Sequence, residues 1–164
     1  MPFPPLEVFR ETGFLAFEQL ASLRHRGAFS TVSYTFTTCC QLTQNLKSVF
    51  PKSDDLLWQW YQGALTCIKT QASTTRRSAG IPSLIGGILA ANSSSPSFDE
   101  VFSTLEDIAR KPVRIVETDG SNLPQVHALN SLRDIFRSSL LSKRAEAYLA
   151  RTLHLAATSL KSEV

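Results

Sequence analysis

Phe98, Val101, Phe102, Leu105, Ile108 and Ala109 fall on one face of a helix and cannot be read as a strand of period two. Leu57, Trp60, Tyr61, Ala64, Leu65 and Ile68 form a second stripe of the same kind. Leu129, Leu132, Phe136 and Leu140 mark a third, and Pro124 suits the first turn of that helix. Ser97 and Glu100 have the spacing of a capping box ahead of the first stripe. No run of four to eight residues alternates as a strand. The β-branched residues between Phe29 and Phe36 come nearest, and they continue into a helical pattern through Phe50. The chain is therefore expected to be all-α, with about seven helices near 6–23, 27–50, 53–72, 76–91, 97–111, 124–140 and 143–160. The segment from Pro112 to Leu123, with Asp119-Gly120 inside it, reads as an excursion between helices.

After the first helix the pattern falls into pairs, 27–72, 76–111 and 124–160, starting at residues 27, 76 and 124. The steps are close to the roughly 40–47-residue period of armadillo and HEAT repeats. The expected architecture is an armadillo/HEAT-like α-solenoid segment that exposes an extended binding surface. The three pairs do not match in sequence, so an ordinary helical bundle is the alternative. At 164 residues the chain is a single unit of either kind.

Composition narrows the function classes. Hydrophobic residues make up 43% and charged residues 19%, the balance of a globular chain. The net charge of +3 permits contact with nucleic acid or an acidic partner without demanding either. Cys39, Cys40 and Cys67 are too few and wrongly spaced for a zinc site or disulfide framework, and the adjacent Cys39 and Cys40 read as buried thiols in a reducing compartment. The N-terminus lacks the basic and apolar regions of a signal peptide. The most apolar stretch, Ala79 to Ala91, is too short to span a bilayer. A cytosolic or nuclear protein with no membrane contact is expected, the cytoplasm being the first choice.

Enzyme signatures are missing. The sequence holds no G-x-S-x-G elbow, H-E-x-x-H pair or P-loop. His25, His127 and His154 are dispersed, and Gly80, Gly86 and Gly87 do not make a dinucleotide fingerprint. No cofactor or metal is implied. Asp54-Asp55 and Asp99-Glu100 sit in first helical turns, where acids complement the dipole.

The basic clusters carry more. Arg24 and Arg26 flank His25 at a helix break, Arg110-Lys111 close a helix, and Arg76-Arg77 and Lys143-Arg144 open helices. The last two placements oppose the dipole, so either another interaction offsets the cost or the cations serve a ligand. In Arg76-Arg77-Ser78-Ala79-Gly80-Ile81-Pro82, Pro82 starts or kinks a helix and Ala79 and Gly80 permit close backbone approach. Paired arginines supply donors for phosphate or carboxylate. Such a segment makes either a docking site or a tight helix crossing with its arginines in solvent. In Pro124-Gln125-Val126-His127-Ala128-Leu129-Asn130, polar groups lie on or beside a packing face, and His127 reads as a satisfied core histidine rather than a ligand or base.

The order and approximate spacing of Arg24-His25-Arg26-Gly27-Ala28-Phe29, the segment Thr75 to Pro82, and Pro124 to Asn130 with Leu132-Arg133 and Phe136-Arg137 is similar to the THADA (thyroid adenoma-associated) family and its fungal counterparts. The likeness covers roughly residues 20–160. It implies an armadillo/HEAT-like solenoid and a non-catalytic regulator of an FtsJ-type tRNA ribose methyltransferase that modifies the first anticodon-loop nucleotide. It makes Arg76, Arg77, Ser78, Ala79, Gly80, Ile81 and Pro82 the expected partner- or RNA-binding motif. Arg24, His25, Arg26, Gly27, Pro124, Gln125, His127, Asn130 and Arg133 are its supporting positions. Against that family the chain is short, and its last residues, Ser162-Glu163-Val164, precede where the family's next helix is expected. This implies a fragment truncated at its C-terminus with an apolar face near Leu153, Leu155 and Leu160. The rival expectation is a helical protein-interaction module with no RNA role.

Overall fold

In the computed structural model, residues 5–22, 26–46, 49, 53–70, 80–92, 97–111 and 123–161 are described. Their elements are α1 (Leu6–Ser22), α2 (Arg26–Asn45), α3 (Ser53–Thr70), α4 (Ile81–Ala91), α5 (Ser97–Arg110), α6 (Leu123–Arg137), α7 (Ser142–Ala145), a 3₁₀ turn over Glu146–Tyr148, and α8 (Leu149–Lys161). Among the described residues there is no strand. The all-α expectation holds.

The fold is organised around α4. Its sequence, IPSLIGGILAA, is short and apolar on nearly every face, the pattern of a helix buried all round. Ile81, Pro82, Leu84, Ile85, Gly87, Ile88 and Leu89 are all buried. It packs most closely against α2, then against α6 and α3, and also touches α1. Pro82 stands in the first turn, where its missing N–H costs nothing, and Gly80 precedes the helix as its N-cap. The helix expected from residue 76 therefore begins at Ile81, and Pro82 starts it rather than kinking it. Residues 76–79 lie outside the described part.

The stripes on α3 and α5 are buried at every expected position, from Leu57 to Ile68 and from Phe98 to Ala109. The Ser97 side chain of the expected capping box is outside the described residues. The α6 stripe is shifted from expectation. That helix ends at Arg137, where the Ser138 N–H donates to the Asp134 and Ile135 carbonyls, so Leu140 falls in a turn and is 65% exposed. The buried face is His127, Ala128, Ser131, Leu132 and Ile135. It is set by packing against α5 and α4, which outweighs the apolarity of Leu129 and Phe136 at its edge. Helix α2 is also shorter than expected, giving way after Asn45 to a turn through Leu46 and Val49 ahead of Pro51. The continuous helix expected over 143–160 is broken by the 3₁₀ turn where Tyr148 stacks on Phe102, with ring centroids 4.6 Å apart. A tertiary ring contact there overrides local helix propensity.

Candidate partner-binding motif and its supports

The described half of the expected motif is a backbone crossing. Gly80 is buried, and a Cβ built on it would fall onto the carbonyl oxygen of Leu20. No side chain fits there, because the obstacle is main chain on α1 rather than a movable rotamer. Ile81 and Pro82 continue directly into the core. Leu20 lies two residues before the end of α1, and Arg26 opens α2. The fold thus brings the Gly80 end of one sequence cluster against the stretch leading to the other. Arg76, Arg77, Ser78 and Ala79, like Arg24 and His25, lie outside the described residues, as does the Arg26 side chain. Gly27 is exposed in the first turn of α2 with open space around it.

The third cluster is built into α6. Gln125 Nε2 donates to the Lys111 carbonyl at 3.0 Å, tying the first turn of α6 to the end of α5. It satisfies one of the carbonyls that a helix terminus leaves open. Asn130 is half-buried, and Arg133 is exposed and pairs with Asp134 at 2.9 Å. His127 is fully buried, and among the described residues neither ring nitrogen has a partner. Burial pushes its imidazole below the ordinary value, favouring the neutral ring. The expected core placement of His127 is found, but the hydrogen bonds expected of a satisfied core histidine are not among the described residues. Gln125 is thus tied to α5, His127 is in the core, and Arg133 faces solvent.

A polar and aromatic seam between α5 and α7–α8 was not singled out from sequence. Arg144 Nη2 binds Asp99 at 2.9 Å, and the Tyr148 hydroxyl donates to the other Asp99 oxygen. Two turns on along α5, the Glu106 carboxylate is buried, receiving Arg151 at 2.7 Å and the Thr152 hydroxyl at 3.1 Å. Arg110 stands 3.8 Å from the same carboxylate. The Arg151 guanidinium also lies 4.3 Å from the centre of the Tyr148 ring, and Arg144 lies over Phe98. The Tyr148 hydrogen bond and then Arg144 hold the Asp99 carboxyl below its ordinary range, while the same bond raises Tyr148. Arg144 does not open a long helix as expected, since α7 ends at Ala145, and it has a structural partner across the interface. The signal was present: 99, 102 and 106 share a face of α5, as 144, 148 and 151 share one on the other side.

Cys39 and Cys40 are buried free thiols whose pKa values burial raises, as expected for inert core cysteines. Among the described residues no group of three or more His, Cys, Asp or Glu side chains is placed to hold a metal ion. Nor is any helix among them long and apolar enough to cross a membrane. One large groove is open, about 530 Å³ between α6 and α8, with Leu132, Phe136 and Leu153 among its walls.

These features define a helical unit with a buried central helix, headed by a glycine crossing that carries the expected motif at its N-terminal side. The family model described as THADA/TRM732, DUF2428 matches residues 2–164, and the chain belongs to this family. It is 32% identical over 156 residues to the tRNA (32-2′-O)-methyltransferase regulator trm732 of Schizosaccharomyces pombe, covering 93% of this chain and 10% of that protein. It is 30% identical over 153 residues to the regulator THADA of Mus musculus, covering 90% of this chain and 8% of that protein. The Gallus gallus THADA regulator is 34% identical over 151 residues, covering 88% of this chain and 8% of that protein. The chain thus spans a tenth or less of the length of these relatives. No solved structure matches it.

Proposed function

We propose that the chain acts in regulating a tRNA ribose 2′-O-methyltransferase of the FtsJ type, as a non-catalytic scaffold supporting methylation of the first anticodon-loop nucleotide. The observation that carries this reading is the family match across residues 2–164, together with relatives named as tRNA (32-2′-O)-methyltransferase regulators. Such a scaffold contributes position and electrostatics, and the chemical step belongs to its partner.

In this reading the pairs 27–72, 76–111 and 124–160 stack as an armadillo/HEAT-like solenoid segment in the cytoplasm. Arg26, Arg76 and Arg77 contact RNA phosphates or acidic groups of the enzyme, and Gly80 and Pro82 fix where that segment leaves the core. Arg133 adds an exposed cation on α6. The buried crossing of Gly80 on Leu20 supports this division of labour, because it leaves no freedom in the chain direction at the head of α4. The open apolar groove on α6 and α8 favours a second reading, a protein-interaction module with no RNA role.

Capture of the cognate methyltransferase by this chain, with and without tRNA across a salt series, separates the two. Contacts to several phosphates weaken steeply as salt rises, whereas apolar docking does not. The scaffold reading expects enzyme capture, strengthened by tRNA at low salt. Capture of neither enzyme nor tRNA overturns it. Salt-resistant capture of the enzyme with no effect of tRNA selects the second reading.

A further inference from the structure

Between Glu18 and Asp99 the only acids in the chain are Asp54 and Asp55. Residues 19–53 hold Arg24, Arg26, Lys47 and Lys52, and residues 56–98 hold Lys69, Arg76 and Arg77. From residue 99 onward the signs balance, nine cations against nine acids. A run of unopposed cations is the footprint of a polyanion partner.

The fold gathers five of these cations at one end. Gly13 lies against the ring of Trp60 and Gly63 against the ring of Phe17, so α1 and α3 run side by side in one direction and finish together, at Ser22 and Thr70. Gly80 stands on Leu20 and Gly87 lies against Phe36, so α4 starts at that end and runs along α2, which Arg26 opens there. Lys69 is exposed in the last turn of α3 and has no ion-pair partner among the described residues. Arg24 is two residues beyond Ser22, and Arg76 and Arg77 are four and three before Gly80. At roughly 3.6 Å per residue the chain keeps all three within about 15 Å of those anchors. The acid nearest in sequence is Glu18, one turn inside α1.

The surroundings distinguish between partners. Ser22, Ser30 and Thr31 are exposed there and neutral. Tyr34, on the same face of α2 as Ser30, is 75% exposed, and among the described residues it is the one large exposed ring or aliphatic side chain at this end. A protein interface is built on a desolvated apolar centre. Spaced cations beside one open ring suit a phosphate backbone with an unstacked base.

We infer that the end where α1 and α3 finish and α2 and α4 begin is one RNA-binding surface, with Lys69 and both arginine pairs on phosphates and Tyr34 under a base. The inference deepens the scaffold reading by giving these arginines to RNA rather than to the enzyme, and rests on it for the choice of probe. Binding of a labelled tRNA anticodon stem-loop to this chain, without methyltransferase, is followed by fluorescence anisotropy across a salt series. Lys69→Glu is expected to weaken binding about fivefold at low salt and to lower the logarithmic salt slope by about one. Lys161→Glu makes the same charge change in the last turn of α8 and should leave affinity within about twofold. Tyr34→Ala should weaken binding about tenfold with the slope unchanged, because stacking releases no counterions. Arg24→Ala/Arg26→Ala and Arg76→Ala/Arg77→Ala should each lower both affinity and slope. Far-UV circular dichroism verifies the fold of every variant. Equal losses from Lys69→Glu and Lys161→Glu overturn the inference, as does an Arg24→Ala/Arg26→Ala chain that binds like the wild type. A wild-type chain that captures the methyltransferase but binds no RNA also overturns it. RNA binding with this pattern but no enzyme capture would instead leave the surface standing and contradict the scaffold reading.

Discussion

The centre of the molecule and its α5–α8 seam are held by different forces. Around α4 the contacts are mostly apolar, and their geometry is set by close approach: Gly80 on the Leu20 backbone, and Gly87 against the ring of Phe36. Along the seam, Asp99 and Glu106 collect Arg144, Tyr148, Arg151 and Thr152 in directed bonds. The centre is therefore expected to respond to changes of volume, and the seam to changes of charge and pH.

The largest effect is expected at the centre. Ile85→Ala removes a fully buried side chain from α4 and should cost about 2–5 kcal/mol, read from denaturant midpoints at constant slope. Gly80→Ala adds one methyl group where only backbone can yield, and an overpacking cost of about 1–3 kcal/mol is expected. Equal stability of either variant and the wild type would remove α4 from its central role.

At the seam, Glu106→Gln keeps the volume and removes the charge that faces Arg151. Arg151 is 45% exposed and regains part of its hydration, so about 1–3 kcal/mol is expected, less than for Ile85→Ala. A loss equal to that at Ile85 would mean that the seam is as essential as the centre. Asp99→Asn lies at the half-exposed end and should cost about 1 kcal/mol or less at neutral pH.

The pH dependence sharpens the contrast. Asp99 has a folded pKa below its ordinary 3.8, so its contribution is present above that value and lost as pH falls through the folded pKa. His127 also has a lowered folded pKa, and the unfolded chain takes up its proton first, near 6.5. Stability should therefore decline as pH falls below about 6.5. Urea midpoints between pH 7.5 and 5 should show this slope in the wild type and in Asp99→Asn, and a flatter one in His127→Leu. Retention of the full slope in His127→Leu would assign it to other groups.

Much of the centre was legible in the sequence, and the seam was not. The stripes on α3 and α5 were readable because a helix against a core repeats its apolar positions, and Leu57 to Ile68 and Phe98 to Ala109 obey that rule without exception. Gly80 and Pro82 were readable as a crossing and a helix start, but the partner of the crossing, Leu20, lies sixty residues away and leaves no local trace. The shift of the α6 stripe was hidden because burial there follows the direction of α4 and α5. Buried His127 and Ser131 share that face, while apolar Leu140 is left in a turn. The seam escaped because its acids have ordinary local explanations, and Arg144, expected to oppose a helix dipole, carries no local sign of its partner. Asp99 suits a first turn and Arg110 a last one, and only the fold sets Asp99 opposite Arg144 and Glu106 opposite Arg151.

In the proposed reading one short motif divides its labour, with Gly80 to Pro82 anchoring it in the core and Arg76 and Arg77 serving a partner. Thermal melting and methyltransferase capture should be measured on the same preparations of Arg76→Ala/Arg77→Ala and of the wild type. The account predicts that the double variant melts as the wild type does, within about 0.5 kcal/mol, and loses capture of the enzyme or of its complex with tRNA. A double variant that melts far lower, while its folded fraction captures the partner as the wild type does, would contradict it.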